Sequence, residues 1–311
     1  MSDSDDGREP SATGDAGRDS DEVVVERLPP DEAFGLLAHE TRFRILETLN
    51  DADDPLAFSE LRERVGVDDP GQFNYHLGKL SGRFVRNGDE GYGLAAPGRR
   101  IVGAVLSGGY TKALEADPVE MDSACLVCGN EMATEFRDDG VDIGCTECEF
   151  TYTNTPIPPG VLEGVAPDDV PRVVDRWLKR NQSGVNFGFC YNCDGRLDAT
   201  VVVQEPDDVR ESLAEWAPFV SVEYDCDRCG YHVKSSFSSA TVLHPAIVDF
   251  HYDRGVDVRD TPLWDLDWIG PEAATVASRD PLRVDVSVTL GEETRVFAFD
   301  EDVNLVETRE K

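Results

Sequence analysis

The eight cysteines of this chain could do its clearest chemistry, because all of them occur in C-x-x-C pairs. The four pairs form two sets: Cys125, Cys128, Cys145 and Cys148, followed by Cys190, Cys193, Cys226 and Cys229. A zinc ion binds four thiolates in a tetrahedron, with Zn–S distances of about 2.3 Å, and each C-x-x-C turn offers two of them. The spacing therefore predicts two zinc ions per chain, with all eight cysteines as ligands.

The two sets differ in the segment between their pairs. In the first set, 16 residues can make two strands joined at Asp139-Gly140, which is the spacing of a zinc ribbon. In the second set, 32 residues include "ATVVV" and "FVSVEY", which predict strands, and Gly195 and Gly230 lie beside the cysteines. This second set resembles an enlarged ribbon.

Cysteine pairs can also serve as redox dithiols, as ligands of iron–sulfur clusters or as ligands of a catalytic zinc. A redox dithiol usually uses one pair at a strand–helix junction, not four pairs among strands. Iron–sulfur ligation also fits four cysteines, so spacing alone leaves it open. A catalytic zinc keeps an open coordination position, whereas both sets are complete. No Walker loop, G-x-S-x-G or Rossmann fingerprint occurs, so we expect no enzyme activity.

The elements that must position the cysteines begin near residue 116. We predict a zinc ribbon over 116–160, then a helix and the second ribbon over 161–236. The helix is expected in "PDDVPRVVDRWLKRNQSG". Its inward residues are Val173, Val174, Trp177 and Leu178.

The C-terminal segment, 237–311, predicts one further helix in "SSATVLHPAIVDFHYDRG", followed by three antiparallel strands. Val284, Val286, Val288 and Leu290 share one face of the first of these strands. In the helix, Leu243, Ile247 and Phe250 point inward. Trp264 and Trp268 are expected to be core or domain-contact residues.

The N-terminal third has a different pattern. "PPDEAFGLLAHETRFRILETLN" carries helical spacing at Leu36, Leu37, Phe43, Leu46 and Leu49. "FSELRERVGVDDPGQFNYHLGKL" predicts two short helices around the turn "GVDD". Ser59 is the expected cap of the first helix, in which Leu61 and Val65 share a face. Asp69 is the expected cap of the second helix, with Pro70 at its first position and Phe73, Leu77 and Leu80 as its buried stripe.

A hairpin and a helix follow. "RFVRNGDEGYGLA" has turn signals at Asn87-Gly88 and Glu90-Gly91. "PGRRIVGAVLSGGYTKAL" predicts a helix with Ile101, Ala104 and Val105 along one side. The order of helix, helix-turn-helix, hairpin and helix over 30–115 is that of a winged helix. The fold class is therefore α+β: a winged helix-turn-helix, two zinc-ribbon-like β modules, and a C-terminal helix with an antiparallel sheet.

Residues 30–112 resemble ArsR-type winged-helix regulators, such as those abundant in halophilic archaea. "LLAHETRFRILETL" resembles the opening signature of that family, and His76, Leu77 and Leu80 match its His-Leu-x-x-Leu run. The family often has a Ser/Thr cap after the wing, where this chain has Ala95 and Ala96. The resemblance implies binding of double-stranded DNA as a homodimer that pairs through the first and last helices of this domain.

The predicted DNA-binding residues are Ser59, Gln72, Asn74, Tyr75, His76, Lys79, Arg83 and Arg86. Gln and Asn can pair with adenine in the major groove, while Tyr75 and Lys79 suit phosphate contacts. His76 is expected either to read a base or to pack within the helix bundle. Arg83 and Arg86 flank the hairpin and suit a backbone or minor-groove contact.

The charge of the chain bears on this prediction. The formal net charge is -34, from 63 acidic and 29 basic residues. Residues 71–114 nevertheless hold six Lys/Arg and two acidic residues, a local charge of +4, as expected of a nucleic-acid face. The acidic composition resembles that of proteins from salt-loving archaea, and we expect a cytoplasm with molar salt. Counterion release contributes little there, so specificity would depend on base contacts and shape.

The sequence thus predicts a cytoplasmic, sequence-specific transcription regulator with a zinc-stabilised sensing or interaction module. One alternative is a general transcription adaptor resembling archaeal transcription factor E, which contacts polymerase and promoter. Another is a metal or redox sensor. No stretch approaches 18 apolar residues, so no membrane span is expected. The first 22 residues have no apolar core, so no secretory signal is expected, and residues 1–29 are predicted to be a disordered acidic tail.

Overall fold

The structure, a computed structural model, describes residues 28–148, 150–208 and 217–311. The chain divides into two compact units, one ending at Val102 and the other beginning at Gly103. Helices dominate the N-terminal unit, and antiparallel sheets dominate the second, so the mixed α+β class is confirmed. The predicted disordered tail lies almost entirely outside the described residues.

The N-terminal unit opens with two helices, α1 (Pro30–Gly35) and α2 (Glu40–Asn50). The single helix expected there is wrong, because His39 is extended and its Nδ1 accepts a hydrogen bond from the Thr41 N–H at 3.1 Å. The imidazole thereby caps a new helix. Ile45 and Leu46 are fully buried in the core.

Helices α3 (Phe58–Val65) and α4 (Pro70–Leu80) follow. The cap expected at Ser59 is wrong, since α3 begins one residue earlier and no side chain caps it. The Asp69 cap of α4 is confirmed, with its carboxylate 2.7 Å from the Gln72 N–H. The predicted stripe of α4 is buried: Phe73, Leu77 and Leu80.

Strands β1 (Val85–Gly88) and β2 (Gly91–Leu94) form the expected hairpin. Its turn lies at Asp89-Glu90, because Asn87 and Gly88 are paired within the ladder. Leu56 exchanges two backbone hydrogen bonds of 2.9 Å with Tyr92, which extends the hairpin by a bridge.

Helix α5 spans Ala96–Leu106, which is shorter than predicted because Gly108 adopts a left-handed φ of 77°. Its most buried residues are Gly98 and Val102, whereas the predicted stripe at Ile101, Ala104 and Val105 is only half-buried. A Cβ at position 98 would lie 2.2 Å from the Phe84 carbonyl oxygen, so this close approach requires glycine.

In the second unit, strands β3 to β6 form one antiparallel sheet in chain order. They span Val119–Ala124, Glu131–Arg137, Gly140–Cys145 and Thr151–Pro156. Helix α6 (Val170–Asn186) follows, with Val174 and Trp177 buried and Val173 and Leu178 partly buried. Strands β7 to β9 form a second antiparallel sheet: Asp198–Gln204, Phe219–Asp225 and His232–Ser236.

The C-terminal segment contains helices α7 (Phe237–Thr241) and α8 (Pro245–Tyr252). The single helix expected there is wrong, because His244 is extended before Pro245 and its Nδ1 accepts from the Ala246 N–H at 3.2 Å. Of the predicted inward residues, Ile247 and Phe250 are buried and Leu243 is half-buried.

The described C-terminal residues form a sheet of four strands, not the three predicted. These are β10 (Ala274–Arg279), β11 (Leu282–Leu290), β12 (Glu293–Phe299) and β13 (Leu305–Glu310). The alternating residues Val284, Val286 and Val288 are fully buried. Trp264 and Trp268 are buried in the core, as expected. No described helix has the length and apolar character needed to cross a membrane.

Candidate metal centres and nucleic-acid interface

The first cluster, defined as Cys125, Cys128, Cys145 and Cys148, forms where strands β3 to β6 meet. Cys125 and Cys128 lie in the turn between β3 and β4, and Cys145 ends β5 just before the turn that carries Cys148. The Sγ atoms of Cys125 and Cys148 are 3.8 Å apart, and those of Cys128 and Cys145 are 3.4 Å apart.

The second cluster, defined as Cys190, Cys193, Cys226 and Cys229, unites two turns from distant parts of the chain. One turn lies between α6 and β7, and the other lies between β8 and β9. Its Sγ separations are 3.7 Å for Cys190–Cys229 and 3.6 Å for Cys193–Cys226. The predicted grouping of the cysteines into two sets of four is therefore what the structure contains.

These distances fit one tetrahedral ion at each cluster. With metal–sulfur bonds of about 2.3 Å, the edges of such a tetrahedron are about 3.8 Å. A disulfide would need about 2.05 Å. In each cluster the four Sγ atoms all lie within 4.8 Å of one another. A multi-iron cluster distributes its thiolates over separate iron atoms and therefore needs wider spacing. Both clusters could hold a metal ion.

The turns that begin at Cys125, Cys190 and Cys226 share one backbone design. In the turn at Cys125, the Cys125 N–H donates to the Asn130 carbonyl at 2.7 Å, and the Gly129 N–H donates to the Cys125 carbonyl at 2.9 Å. Equivalent bonds occur in the turns that begin at Cys190 and Cys226. The residue after each second cysteine has a positive φ: 74° at Gly129, 55° at Asp194 and 70° at Gly230. A positive φ favours glycine at positions 129 and 230, whereas Gly195 is not among the positive-φ residues and instead lies close to the sulfurs of its cluster.

Two asparagines that the sequence analysis missed hydrogen-bond to cysteine sulfurs. Asn130 Nδ2 lies 3.4 Å from Cys128 Sγ, and Asn192 Nδ2 lies 3.5 Å from Cys229 Sγ. The bond from Asn192 is the main cause that lowers the pKa of Cys229 to about 6. The backbone N–H of Asn130 is the main cause that lowers the pKa of Cys128 to about 7. Asn130 lies two residues after Cys128, which was a signal available in the sequence, whereas Asn192 is 37 residues from Cys229 and is brought to it only by the fold.

The other thiols behave differently. Burial raises the pKa of Cys148 and of Cys193 to about 12, and it also raises the pKa values of Cys125 and Cys190. Each cluster therefore contains one exposed cysteine with an acidic thiol and at least two thiols that hold their protons. A metal ion must displace these protons, so metal affinity falls as the pH falls.

The predicted nucleic-acid residues of the N-terminal unit lie on α4 and on the hairpin after it. Gln72, Asn74, Tyr75 and Lys79 are exposed on α4, and Arg83 and Arg86 are exposed beside and within β1. Tyr75 is 58% exposed, and Lys79 Nζ lies 5.6 Å from its ring centroid. Ser59 is exposed in the first turn of α3.

His76 does not lie on this outer face. It is 4% exposed, and its ring packs against His39 with centroids 4.1 Å apart. Burial, together with the nearby His39 and Arg42, lowers the pKa of His76. Of the two roles expected for His76, base reading requires an exposed ring, so the packing role is the one that this geometry favours.

The chain thus combines a mainly helical N-terminal unit with a second unit of antiparallel sheets. The second unit carries two tetracysteine clusters, which are the two candidate metal centres. Residues 122–305 match the family described as a domain of unknown function, DUF7351, and the chain belongs to this family. Residues 30–105 match a second family described as a domain of unknown function, DUF7347. No curated protein and no solved structure matches the chain.

Proposed function

We propose that the chain is a sequence-specific DNA-binding transcription regulator whose N-terminal unit is a winged helix-turn-helix. One observation carries the proposal. Helix α4 exposes Gln72, Asn74 and Lys79 above a buried stripe, and arginines follow at the hairpin. In this interpretation α3 and α4 form the helix-turn-helix, α4 enters the major groove and the β1–β2 hairpin is the wing.

The polar side chains of α4 are available for base contacts. Among the described residues, the side-chain amides of Gln72 and Asn74 have no hydrogen-bond partner, although the Gln72 backbone N–H is bound by Asp69. An amide of this kind can make two hydrogen bonds to adenine, and each such pair contributes about 1–3 kcal/mol of discrimination. Lys79, Arg83 and Arg86 would contact the phosphate backbone.

The charge distribution supports the same assignment. The segment 71–114 has a local charge of +4 in a chain of -34. Nucleic acid would therefore meet the cationic segment and be repelled by most of the remaining surface. In molar salt, a recognition helix rich in Gln and Asn loses less affinity than one that depends on arginine–phosphate contacts.

The second unit would hold two structural zinc ions and serve as a sensing or interaction module. Zinc suits a closed set of four thiolates, and its binding free energy would help an acidic module to fold. Two-fold pairing through α1 and α5 would give a homodimer, and Phe34 on α1 is 64% exposed. Such a dimer would bind a near-palindromic site with half-sites about one helical turn apart. We assign no catalytic role.

The test is selection from a random DNA pool in molar KCl with the purified full-length protein. We expect a defined motif with two half-sites. The double variant Gln72→Ala/Asn74→Ala should lose this preference, because it removes both groups proposed to read bases. Asn50→Ala is the matched control, since Asn50 is an exposed asparagine on α2. It should select the same motif as the unchanged protein.

Circular dichroism establishes that each variant is folded. A motif that persists in the double variant would show that α4 is not the recognition helix. A wild-type protein that selects no motif, but co-purifies with polymerase at promoters, would instead support a general transcription adaptor.

A further inference from the structure

A cavity of about 480 Å³ lies within the second unit. Its walls come from β6, α6 and β9, and from residues next to both cysteine clusters. Cys148 of the first cluster lines it, as does Tyr191, which follows Cys190 of the second. The volume is within the range of about 300–1,000 Å³ that is typical of small-molecule sites.

The cavity has firm apolar walls. Val185, Leu263 and Ile269 line it and are themselves at least 95% buried. They are joined by half-buried apolar side chains: Phe150, Leu178 and Val233. Side chains packed in a core keep their positions when a ligand enters, so the space is largely formed before binding.

The charge of the lining is unusual for this chain. Acidic residues make up 63 of its 311 residues, yet none of the described residues that line the cavity is acidic. Lys234 is the one charged residue among them. Its Nζ lies 2.7 Å from Gln204 Oε1 and 3.4 Å from Glu223 Oε1, which hold it in place. A cationic ligand is therefore disfavoured, whereas an anionic or neutral one is accepted.

Some polar groups of the lining bond to one another, whereas others retain the capacity to bind a ligand. Gln182 and Ser235 bond to each other at 2.8 Å, and Ser236 and Ser239 do the same at 2.8 Å. In the described part of the chain, however, the side-chain amide of Asn181 has no hydrogen-bond partner, although it lines the cavity. Lys234 lines the cavity and is exposed, and its ammonium retains one donor beyond its bonds to Gln204 and Glu223.

We propose that this cavity binds a small, largely apolar organic molecule that is neutral or carries one negative group, with that group at Lys234. Because Cys148 of the first cluster and Tyr191 beside the second cluster line the cavity, an occupied cavity and intact metal centres would stabilise each other. The further claim that the bound molecule is an effector of regulation depends on the function proposed above. The claim that the cavity binds a small molecule does not depend on that function.

The experiment is a fluorescence titration of the full-length, zinc-loaded protein with two matched probes. One is 8-anilinonaphthalene-1-sulfonate, which has one negative charge, and the other is N-phenyl-1-naphthylamine, which has the same rings without the charge. Both should bind saturably at one site per chain. Lys234→Gln should weaken the anionic probe about tenfold, as expected for loss of a charged hydrogen bond. It should change the affinity of the neutral probe less than about twofold.

Two further variants test the location. Leu178→Trp on α6 and Val233→Trp on β9 each fill the cavity and should abolish binding of both probes. The two substitutions lie on different elements, so if one variant fails to fold, the other still tests whether the probes bind in this cavity. Val306→Trp is the control, since Val306 is 47% exposed on β13 and does not line the cavity. It should bind like the wild type.

The proposal is overturned if the wild type binds neither probe saturably, or if both cavity-filling variants bind as the wild type does. Equal loss of both probes in Lys234→Gln would overturn the position of the negative group. DNA is absent from the titration. If the probes bind but no DNA motif is selected, the ligand site is supported and the proposed DNA-binding function is rejected. If a DNA motif is selected but the probes do not bind, the proposed function is supported and the ligand site is rejected.

Discussion

At the residue scale, the second cluster depends on the absence of a side chain at position 195. A Cβ there would lie 3.0 Å from Cys193 Sγ and 3.1 Å from Cys226 Sγ. These contacts are shorter than van der Waals distances, so either the sulfurs or the turn would have to move. Tetrahedral coordination tolerates little displacement of its ligands, so a Cβ at position 195, which would require its neighbours to shift by a few tenths of an ångström, is expected to disturb this cluster.

We predict that Gly195→Ala weakens metal binding at the second cluster alone. Elemental analysis should find two zinc ions per wild-type chain, and about one in the variant after brief exposure to a chelator. Gly103→Ala is the matched control, because a Cβ at position 103 meets nothing within 4 Å. It should retain two. Iron in place of zinc would contradict the metal assignment, and a variant that keeps both ions would contradict the role of Gly195.

At the scale of elements, helix α6 is held to the segment before Leu263 by a buried ion pair. Lys179 Nζ lies 2.6 Å from Asp175 Oδ2 and 2.6 Å from the Thr261 carbonyl oxygen. The other oxygen of Asp175 accepts from the Leu263 N–H at 2.9 Å. Burial raises the pKa of Asp175, and the bond from Lys179 opposes that effect. The pair thus positions two walls of the cavity.

We predict that Lys179→Met lowers the free energy of unfolding of the second unit by about 3–5 kcal/mol, because it leaves a buried carboxylate without its partner. Arg176→Met should cost less than about 1 kcal/mol, because its pair with Asp260 is half-exposed on both sides. Urea denaturation measures both variants.

A double variant separates the ion pair from the packing around it. Asp175→Leu/Lys179→Met should recover part of the stability lost in Lys179→Met, because no unpaired charge remains, although the Leu263 N–H and the Thr261 carbonyl lose their partners. If Lys179→Met is no more costly than Arg176→Met, the buried pair does not hold α6 in place.

At the scale of the whole molecule, the net charge of -34 affects both stability and binding. At low ionic strength the carboxylates of each unit repel one another, and this repulsion opposes the compact state. The screening length is about 10 Å in 0.1 M salt and about 3 Å in 1 M salt, so molar salt removes most of the repulsion.

We predict that the thermal unfolding midpoint rises steadily as KCl increases from 0.1 M to 2 M. Sucrose at matched water activity serves as the control, because it does not screen charge, and it should give the smaller rise. A midpoint that is insensitive to KCl would argue against adaptation to a salt-rich cytoplasm. Scanning calorimetry can follow the two units separately.

The sequence by itself determined the features that depend on neighbouring residues or on residue identity. The stripe of Phe73, Leu77 and Leu80 follows from helical periodicity, and the Asp69 cap follows from its position before Pro70. The two tetracysteine sets follow from the chemistry of C-x-x-C turns, since soft thiolates at this spacing converge on one ion. The helical stripe, the cap and each C-x-x-C pair are contained within a short segment, whereas the joining of two pairs into one set was inferred from the ligand preference of the metal.

Tertiary structure decided the features that join distant segments. His76 shares a helix with exposed Tyr75 and Lys79, yet it is buried because its ring packs on His39. Asp175 and Lys179 are buried where the fold brings helix α6 against Leu263 and Thr261. These two partners lie 88 and 82 residues further along the chain. The cavity likewise combines side chains from many elements. Local pattern cannot encode these contacts, because which surfaces meet is settled only when the whole chain minimises its exposed apolar area.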